Sequence, residues 1–275
     1  MKKIFGLLAL ITCFSLNAQL INPNHEKKRI PEIKSKTIYF VLDFENSAAY
    51  KEVVEKYWTL SKFKIITTEE LKSTLSLDNI YFTNASTTVG NVSSSSQYMM
   101  WSPTQTMIDK VKEIKSLDIR FAEPYFQIKT MGDYWLPGFF KNFLQQIQEH
   151  VNLFLEKGEA PAVTDEKKIA ELKNATLYAP NYIIKKGEDA TEMFSKYEFK
   201  HEMISSADLS KKIIAGEELY YMITCIYGQN CKIVNVVNSK IGQRVYESFE
   251  AKPIYPYLRK QDIGEINKEI KKASK

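Results

Sequence analysis

The strongest constraint on the fold of this chain is an order of short patterns that occurs twice. In residues 37–83, an apolar run typical of a buried strand (IYFVL) is followed by apolar residues at helical spacing over 48–58 and by a second strand pattern, FKII. Thr67 and Glu70 have capping-box spacing, which predicts that a helix begins there. A third strand pattern, NIYFT, completes a βαβαβ order.

The same order returns in residues 175–222. A strand pattern (ATLY) is followed by a helix pattern over 188–194 and a second strand predicted over 197–200 (YEFK). Ser205 and Asp208 repeat the cap, and a third strand pattern, ELYYM, follows. Corresponding positions are separated by 136 residues at the second strand, 138 at the cap and 139 at the third strand. This favours an internal duplication, and chance agreement between two α/β patterns is the alternative.

We therefore predict an α/β (α+β) fold of two related βαβαβ units, with added β-hairpins and a long connecting helix. The predicted segments are a flexible leader (19–36), a first unit with a central insertion and the long helix (37–158), a linker (159–165), a second unit with β-hairpins (166–259) and a C-terminal helix or tail (260–275). The long helix begins at Pro137 and ends at Gly158, the usual asymmetry of helix ends.

The segments outside the two copies have weaker patterns. Residues 84–97 are polar and serine-rich, which predicts a solvated loop, and 118–129 resembles a strand pair broken at Glu123-Pro124. No counterpart of this central region is predicted in the second copy. In the tail, apolar residues recur on one face of a predicted surface helix that frays toward its end; these are Ile263, Ile266 and Ile270.

The N-terminus has the three parts of a secretory signal peptide. Lys2 and Lys3 precede an apolar segment over 4–14, which is too short to span a bilayer, and cleavage is predicted after Ala18. Cys13 lies in a sequence that weakly resembles a lipobox, so a lipoprotein is the less favoured alternative. We expect an exported protein, periplasmic or extracellular.

Composition narrows the function classes. The net charge of +5 falls to +3 once residues 1–18, with two lysines and no acid, are removed. This excess is too small for a dedicated nucleic-acid binder, so no nucleic-acid partner is expected. No segment after the signal is apolar enough for a transmembrane helix in the mature chain.

Cys225 and Cys231 flank a predicted hairpin turn and are the two cysteines of the mature chain. A three-residue loop over 227–229 would set them opposite one another and allow a disulfide, which an exported protein favours. A turn at Gly228-Gln229 would instead pair Cys231 with Ile226 and leave two free thiols. Redox catalysis is not indicated, because the spacing is not C-x-x-C.

No catalytic, cofactor or metal motif is present, so no catalytic residue, cofactor or metal is predicted. His25, His150 and His201 lie on different segments; we interpret His150 as a surface or boundary residue and His201 as packed rather than catalytic. Asp43 and Glu45 follow the first strand, where α/β sheets place ligand sites, but a loop that caps the next helix explains them as well.

Aromatic residues are frequent in the central region. If exposed, they would form a binding surface for a protein or a glycan, whereas in strands such residues are more often core. The candidate surface residues are Tyr98, Trp101, Tyr134 and Trp135.

The repeated units resemble small α/β modules of bacterial envelope proteins, in particular the TolB N-terminal and the curli-secretion or lipoprotein-activator domains. The resemblance rests on IYFVL, FKII, TTEEL and SSADL and covers about a third of the chain. The chain is also similar to secreted bacterial proteins without an assigned activity. This implies an architecture and binding to envelope partners, and carries over no catalytic residue.

Together these observations predict an exported, non-enzymatic binding or assembly protein of the bacterial envelope, whose partner is an envelope protein or a glycan. The alternative is an envelope hydrolase whose site is assembled from residues distant in sequence.

Overall fold

The computed structural model describes residues 29–89, 92–110, 122–130, 136–158, 164–227, 231–251 and 257–275. The fold is mixed α/β, as the sequence predicts. Its described strands are β1 (Thr37–Val41), β2 (Phe63–Ile66), β3 (Asn79–Val89), β4 (Val92–Pro103), β5 (Ala122–Thr130), β6 (Leu177–Pro180), β7 (His201–Ile204), β8 (Tyr220–Tyr227), β9 (Cys231–Asn238) and β10 (Arg244–Ala251). Its described α-helices are α1 (Ile30–Ser35), α2 (Ala48–Tyr57), α3 (Thr68–Thr74), α4 (Gln105–Lys110), α5 (Pro137–Lys157), α6 (Glu166–Glu171), α7 (Ala190–Met193), α8 (Ser206–Ala215) and α9 (Lys260–Ala273).

The two halves of the sheet have the same strand order. In the first unit, β1 lies between β2 and β3 and is parallel to both, and β4 and β5 continue from β3 as antiparallel neighbours. In the second unit, β6 lies between β7 and β8 and is parallel to both, and β9 and β10 continue from β8 in the same antiparallel way. The duplication requires this equality of strand order.

The helices repeat as well. Each unit opens with a short helix, α1 or α6, that packs against its closing helix, α5 or α9. The first crossover also contacts the closing helix in both units, through α2 in the first and through α7 and the 3₁₀ turn Phe194–Lys196 in the second. The central region therefore does have a counterpart: β4, β5 and α5 correspond to β9, β10 and α9, so the prediction of an unpaired insertion is wrong.

The second strand of the second unit is β7, which begins at His201 rather than within 197–200. Phe63 pairs with Ile38 in the first unit, and His201 pairs with Leu177 in the second, so Phe63 and His201 occupy corresponding positions. They are 138 residues apart in the sequence, the same separation as between the two caps. The aromatic residues that suggested an earlier strand lie in the turn before it, where Tyr197 packs into a core.

The second unit is turned over relative to the first. β5 and β8 are antiparallel neighbours through the pair Lys129 and Ile226, and β8, the counterpart of β3, therefore runs opposite to β3. Corresponding side chains therefore point to opposite faces of the sheet. Phe82 of β3 contributes to the core under α2 and α5, whereas the corresponding Met222 of β8 contributes to the core on the other face.

Three hydrophobic cores follow from this arrangement. The main core lies between one face of the sheet and α2, α5 and α8, and it takes residues from both units, such as Phe40, Phe143 and Tyr221. On the opposite face, α6 and α9 cover the second unit, and a smaller core that includes Leu71 and Met107 lies against the first. Because α5 packs on both α2 and α8, it ties the two units together.

The predicted leader over 19–36 is partly folded. Residues 30–35 form α1, whose Ile30 and Ile33 are buried in the main core, so the prediction of a flexible leader is wrong there. Residues 1–28, which include the predicted signal peptide, lie outside the described residues.

The described part of the serine-rich segment belongs to two strands rather than to a loop. Described residues of 84–97 belong to β3 and β4, and β4 bonds to β3 on one side and to β5 on the other. Its backbone groups are thus paired on both edges, which allows a polar sequence to form a strand. Residues 122–130 form one strand, in which Met100 faces Phe126 and Trp101 faces Pro124. The extra residue makes a bulge that accommodates the proline.

The C-terminal helix belongs to the core. The three isoleucines predicted on one face of α9 are fully buried, which contradicts a fraying surface helix. Ile270, the eleventh residue of α9, matches Ile147, the eleventh residue of α5, and both are buried. Most of the predicted linker, residues 159–163, lies outside the described residues, and Asp165 caps α6. None of the helices in the described ranges combines the length and apolarity needed to cross a membrane.

Candidate functional site

A groove of about 540 Å³ lies between α2 and α8, above the start of α5. We call it the α2–α8 groove. It is lined by Ala49, Glu52, Val53, Lys56 and Tyr57 of α2, by Leu136 and Pro137, and by Ala207, Ser210, Lys211, Ile214 and Ala215 of α8. Its walls come from both units, and its volume lies in the range of small-molecule sites.

The groove exists because α5 approaches α8 closely at its first turn. A Cβ atom on Gly138 would lie 2.5 Å from the carbonyl oxygen of Ser210, so only glycine fits without displacement. The Gly138 N–H also donates to Ser210 Oγ at 2.9 Å. This contact fixes α8 beside the start of α5, while α2 packs on the other side of the same helix.

The lining of the groove is mainly apolar. The larger apolar lining residues are Val53 of α2, Leu136 and Pro137 at the start of α5, and Ile214 of α8. Ile214 is 38% exposed, which makes it one of the large hydrophobic side chains that the described residues leave open to solvent. An exposed apolar residue at the edge of a concave apolar surface is typical of a binding site.

Positive charge surrounds one ring in the groove. The Nζ atoms of Lys56 and Lys141 lie 5.3 Å and 5.0 Å from the centroid of the Tyr57 ring. Lys141 is only 2% exposed and donates a hydrogen bond to the Ile213 carbonyl at 2.8 Å. Burial, and secondly the charge of Lys56, lowers the pKa of Lys141. No ion pair is formed by either lysine within the described ranges.

The start of α5 adds to this positive potential. Its N-cap residue, Leu136, makes no side-chain cap, and its first turn contains no acidic residue. The positive end of a helix dipole is thus left without a carboxylate of its own. In α9, Asp262 occupies the third helical position and accepts a hydrogen bond from Arg259 N at 2.7 Å, whereas the third residue of α5 is Phe139.

A second cavity occupies the corresponding place in the second unit. This α7–α9 cavity, of about 570 Å³, lies between the first crossover and the start of the closing helix. Its acidic side chains, Glu188, Asp189 and Glu192, face Arg259 and Lys260, and Lys260 forms an ion pair with Glu192. The two cavities are thus equivalent in position and different in chemistry.

The candidate aromatic surface is not assembled as predicted. Trp101 is fully buried and donates from Nε1 to Thr83 Oγ1 at 2.9 Å, so it is a core residue and does not belong to an exposed surface. The backbone of Tyr98 lies in β4, but its side chain lies outside the described part of the chain, as do Tyr134 and Trp135.

The cysteines differ from both registers that we considered. Tyr227 lies opposite Cys231, and Cys225 lies opposite Ile233. Cys225 and Cys231 are therefore diagonal neighbours, whose Cα atoms are typically about 7–8 Å apart in a regular ladder, too far for a disulfide without movement of the backbone. Cys225 is a buried free thiol, and burial raises its pKa well above the usual range. The side chain of Cys231 lies outside the described residues.

A buried polar cluster lies under the second half of α5. His150 is buried, contrary to our interpretation as a surface or boundary residue, because the helix lies flat on the sheet. Burial, and secondly Arg244, lowers the pKa of His150 to about 4. Arg244 Nη1 lies 2.5 Å from Glu247 Oε2, and burial raises the pKa of Glu247 while Arg244 opposes that rise. These side chains are sealed from solvent, so their arrangement is structural.

The remaining candidates have structural roles. Asp43 Oδ2 accepts a hydrogen bond from Thr68 N at 3.1 Å, which links two loops of the first unit. Glu45 is exposed. His201 is exposed and stacks on Phe194 with ring centroids 4.6 Å apart. His25 lies outside the described residues, and the described ones contain no group of three His, Cys, Asp or Glu able to hold a metal ion.

Sequence reasoning missed the residues that make the groove. Tyr57 carries no motif, and Ser210 is an ordinary helical serine. Two signals could have pointed to the place: a glycine directly after the proline of a helix start, and a lysine within the second turn, where the helix dipole disfavours it.

A comparison with family models, with curated proteins and with solved structures found no match.

Proposed function

We propose that this chain is an exported, non-enzymatic binding protein of the bacterial envelope whose ligand occupies the α2–α8 groove. The observation that carries the proposal is the apolar groove of about 540 Å³ between helices of different units. The signal-peptide pattern over residues 1–18 supports export. Of the partner classes expected from the sequence, an apolar lining favours an apolar segment or an amphiphile over a bare glycan.

Ligand binding can be tested with N-phenyl-1-naphthylamine, a neutral apolar dye whose fluorescence rises in apolar surroundings. We expect saturable binding to one site per chain. Ala207→Trp, which places a large side chain in the groove, is expected to remove it. Leu77→Trp is the matched control, because Leu77 is 47% exposed and lies outside the groove. Equal binding by both variants, or none by the unaltered chain, would contradict the proposal.

Export is tested separately by producing the full chain in a bacterium with two membranes. The protein released by osmotic shock is expected to begin at Gln19, as read by N-terminal sequencing. Leu10→Arg, which interrupts the apolar segment of the signal, should keep the precursor in the cytoplasm. An unprocessed chain in the cytoplasm of cells producing the natural sequence would contradict export.

A further inference from the structure

We infer that copies of this chain associate head to tail, with the outer edge of β2 in one copy pairing antiparallel with the outer edge of β7 in the next copy. Lys64 of one copy then lies opposite Glu202 of its neighbour. Both strands lie outside the α2–α8 groove, so this association goes beyond the proposed function and needs no ligand.

Both strands are edges of the sheet. Within the described ranges, β2 pairs only with β1, and β7 pairs only with β6. The backbone groups on the open side of an edge strand can pair with a strand from another chain. The third edge, β10, differs, because Val245 O already accepts a hydrogen bond from Asp165 N at 3.1 Å. The duplication therefore gives each unit one comparable open edge.

The hydrogen bonds inside the sheet fix which backbone groups of these edges point outward. Ile38 N donates to Lys62 O at 2.9 Å, so Lys62 and every second residue after it direct their backbone groups to β1. Leu177 N donates to Lys200 O at 3.0 Å in the same way, which sets the alternation in β7. The outward backbone groups thus belong to the intervening residues, Phe63 and Ile65 in β2 and His201 and Met203 in β7.

These outward groups select an antiparallel register. Hydrogen-bonded pairs of an antiparallel ladder need two residues whose backbone groups both face the partner, and the residues between them form a non-hydrogen-bonded pair with Cα atoms about 4.5 Å apart. In the register with Lys64 opposite Glu202, these two residues form the close non-hydrogen-bonded pair. The flanking hydrogen-bonded pairs are Phe63 with Met203 and Ile65 with His201.

The side chains at the centre carry opposite charges. Lys64 and Glu202 are both exposed, and neither forms an ion pair within the described part of the chain. Opposite charges directly across a ladder stabilise it, and like charges destabilise it. Pairing β2 with a second β2 in this way would set Lys64 against Lys64, and two β7 strands would set Glu202 against Glu202. A charge on an edge strand usually prevents pairing, but opposite signs at corresponding positions favour β2 with β7.

The neighbouring charges are compatible with this register. Lys62 and Lys200, at the ends of the paired segment, lie opposite isoleucines rather than opposite each other. The cation whose charge acts on Glu202 is Lys212, and its Nζ is bound to Glu217 Oε2 at 2.9 Å. On the same face as the hydrogen-bonded pairs, the half-buried side chains of Phe63 and Met203 would cover each other.

The contact is heterologous, because it joins two different surfaces. Each copy offers β2 to one neighbour and β7 to another, so the association continues until an open chain ends or a ring closes.

Sedimentation velocity of the full chain without its signal, over a wide range of concentrations, tests the association. We expect species larger than the monomer to grow with concentration. Lys64→Glu and Glu202→Lys should each weaken association about tenfold, because an attractive cross-strand pair becomes a repulsive one. The variant with both substitutions should associate as the natural chain does, since the pair is restored with its signs exchanged.

Lys173→Glu is the matched control, because Lys173 is exposed, lies away from both edges and changes the net charge as much as Lys64→Glu does. It should leave association unchanged. A monomer at every concentration, equal effects of the two lysine variants, or no recovery in the double variant would overturn the inference.

Cross-linking tests the register directly. Chains with Lys64→Cys are mixed with chains that carry Glu202→Cys and are oxidised, and peptide mapping by mass spectrometry separates the new bond from any formed by Cys231. We expect the bond between positions 64 and 202 to predominate, because residues of a non-hydrogen-bonded pair lie within disulfide distance. Lys173→Cys in place of Lys64→Cys should give no such product. Bonds formed mainly between two copies of position 64, or none at all, would contradict the pairing of β2 with β7.

Discussion

The first unit bridges β1 and β2 with a ten-residue helix, α2, whereas the second unit spans the corresponding distance with the four residues of α7 and a 3₁₀ turn. Both crossovers pack against the start of a closing helix and leave a cavity there. In the second unit the cavity is lined by acids and bases, of which Glu192 and Lys260 form an ion pair with each other. In the first unit the cavity is mainly apolar, and its charged lining residues are Glu52, Lys56 and Lys211.

Under the function that we propose, the repeated framework keeps one cavity for a ligand, whereas the other cavity is lined by charges of both signs. Because the second unit is turned over, its helix α8 lies on the same face as α2 and α5 and supplies an extra wall to the groove of the first unit. The first unit alone would lack this wall. The binding property that we propose therefore comes from the pairing of the two units rather than from either one.

The variants with the largest expected effect on stability test whether α9 is the structural equivalent of α5. Ile147→Ala and Ile270→Ala remove the same side chain from the same position of the two closing helices, where both are buried. Each is expected to lower the free energy of unfolding by about 2–5 kcal/mol, measured by urea denaturation. Leu77→Ala, at an exposed position, should change it by about 0.5 kcal/mol or less. A negligible effect of Ile270→Ala alone would make α9 a dispensable tail and break the comparison.

His150 distinguishes the two closing helices at their fourteenth position, where α9 has Ala273. Its pKa is about 4 in the folded protein and near 6.5 when unfolded, so the unfolded chain binds more protons between these values. Stability is therefore lost as the pH falls from 6.5 to 4, by about 3 kcal/mol.

The pH dependence is measured by urea denaturation of the natural chain and of His150→Ala. The variant is expected to lack this component. The raised pKa of Glu247 acts in the opposite direction in both proteins, since its contribution is lost as the pH rises, and it cancels in the difference. Parallel pH profiles for the two proteins would show that His150 is accessible to protons in the folded state.

The glycines of the closing helices test the contact that builds the groove. Gly138→Ala is expected to cost about 1–3 kcal/mol, because its Cβ would meet the backbone of Ser210. Gly264→Ala in α9 has room, with its nearest contact at 3.5 Å on Lys196 Cδ, and should stabilise the protein by up to about 1 kcal/mol through helix propensity. Thermal and urea unfolding measure both. Equal effects would mean that α5 does not need its close approach to α8.

Much of the framework was predictable from local patterns, because strands, caps and helix ends have short-range causes. Residues close in sequence determine the cap at Thr67 and the helix between Pro137 and Gly158. They also determine the order of strands and helices that indicated the duplication. The full extent of the duplication was not predictable, since α5 and α9 share a pattern of burial rather than residues. The groove was not predictable either, because Tyr57 and Ser210 line it together only through the packing of three helices.

The smallest expected effect concerns the caps that first suggested the duplication. Thr67 Oγ1 accepts from Glu70 N at 3.2 Å, and Ser205 Oγ accepts from Asp208 N at 3.1 Å. Thr67→Ala and Ser205→Ala should each cost about 1 kcal/mol, and the double variant should show the sum, because the caps share no partner. Glu70→Ala should cost more than Asp208→Ala, since Glu70 Oε2 accepts from the backbone Thr67 N at 2.7 Å and closes a capping box, whereas Asp208 Oδ2 accepts from the Ser205 hydroxyl and leaves the backbone N–H of Ser205 without this partner. Urea denaturation of the five variants measures these differences. A loss of stability at one cap only would mean that the matching sequences do not perform the same role in the two units.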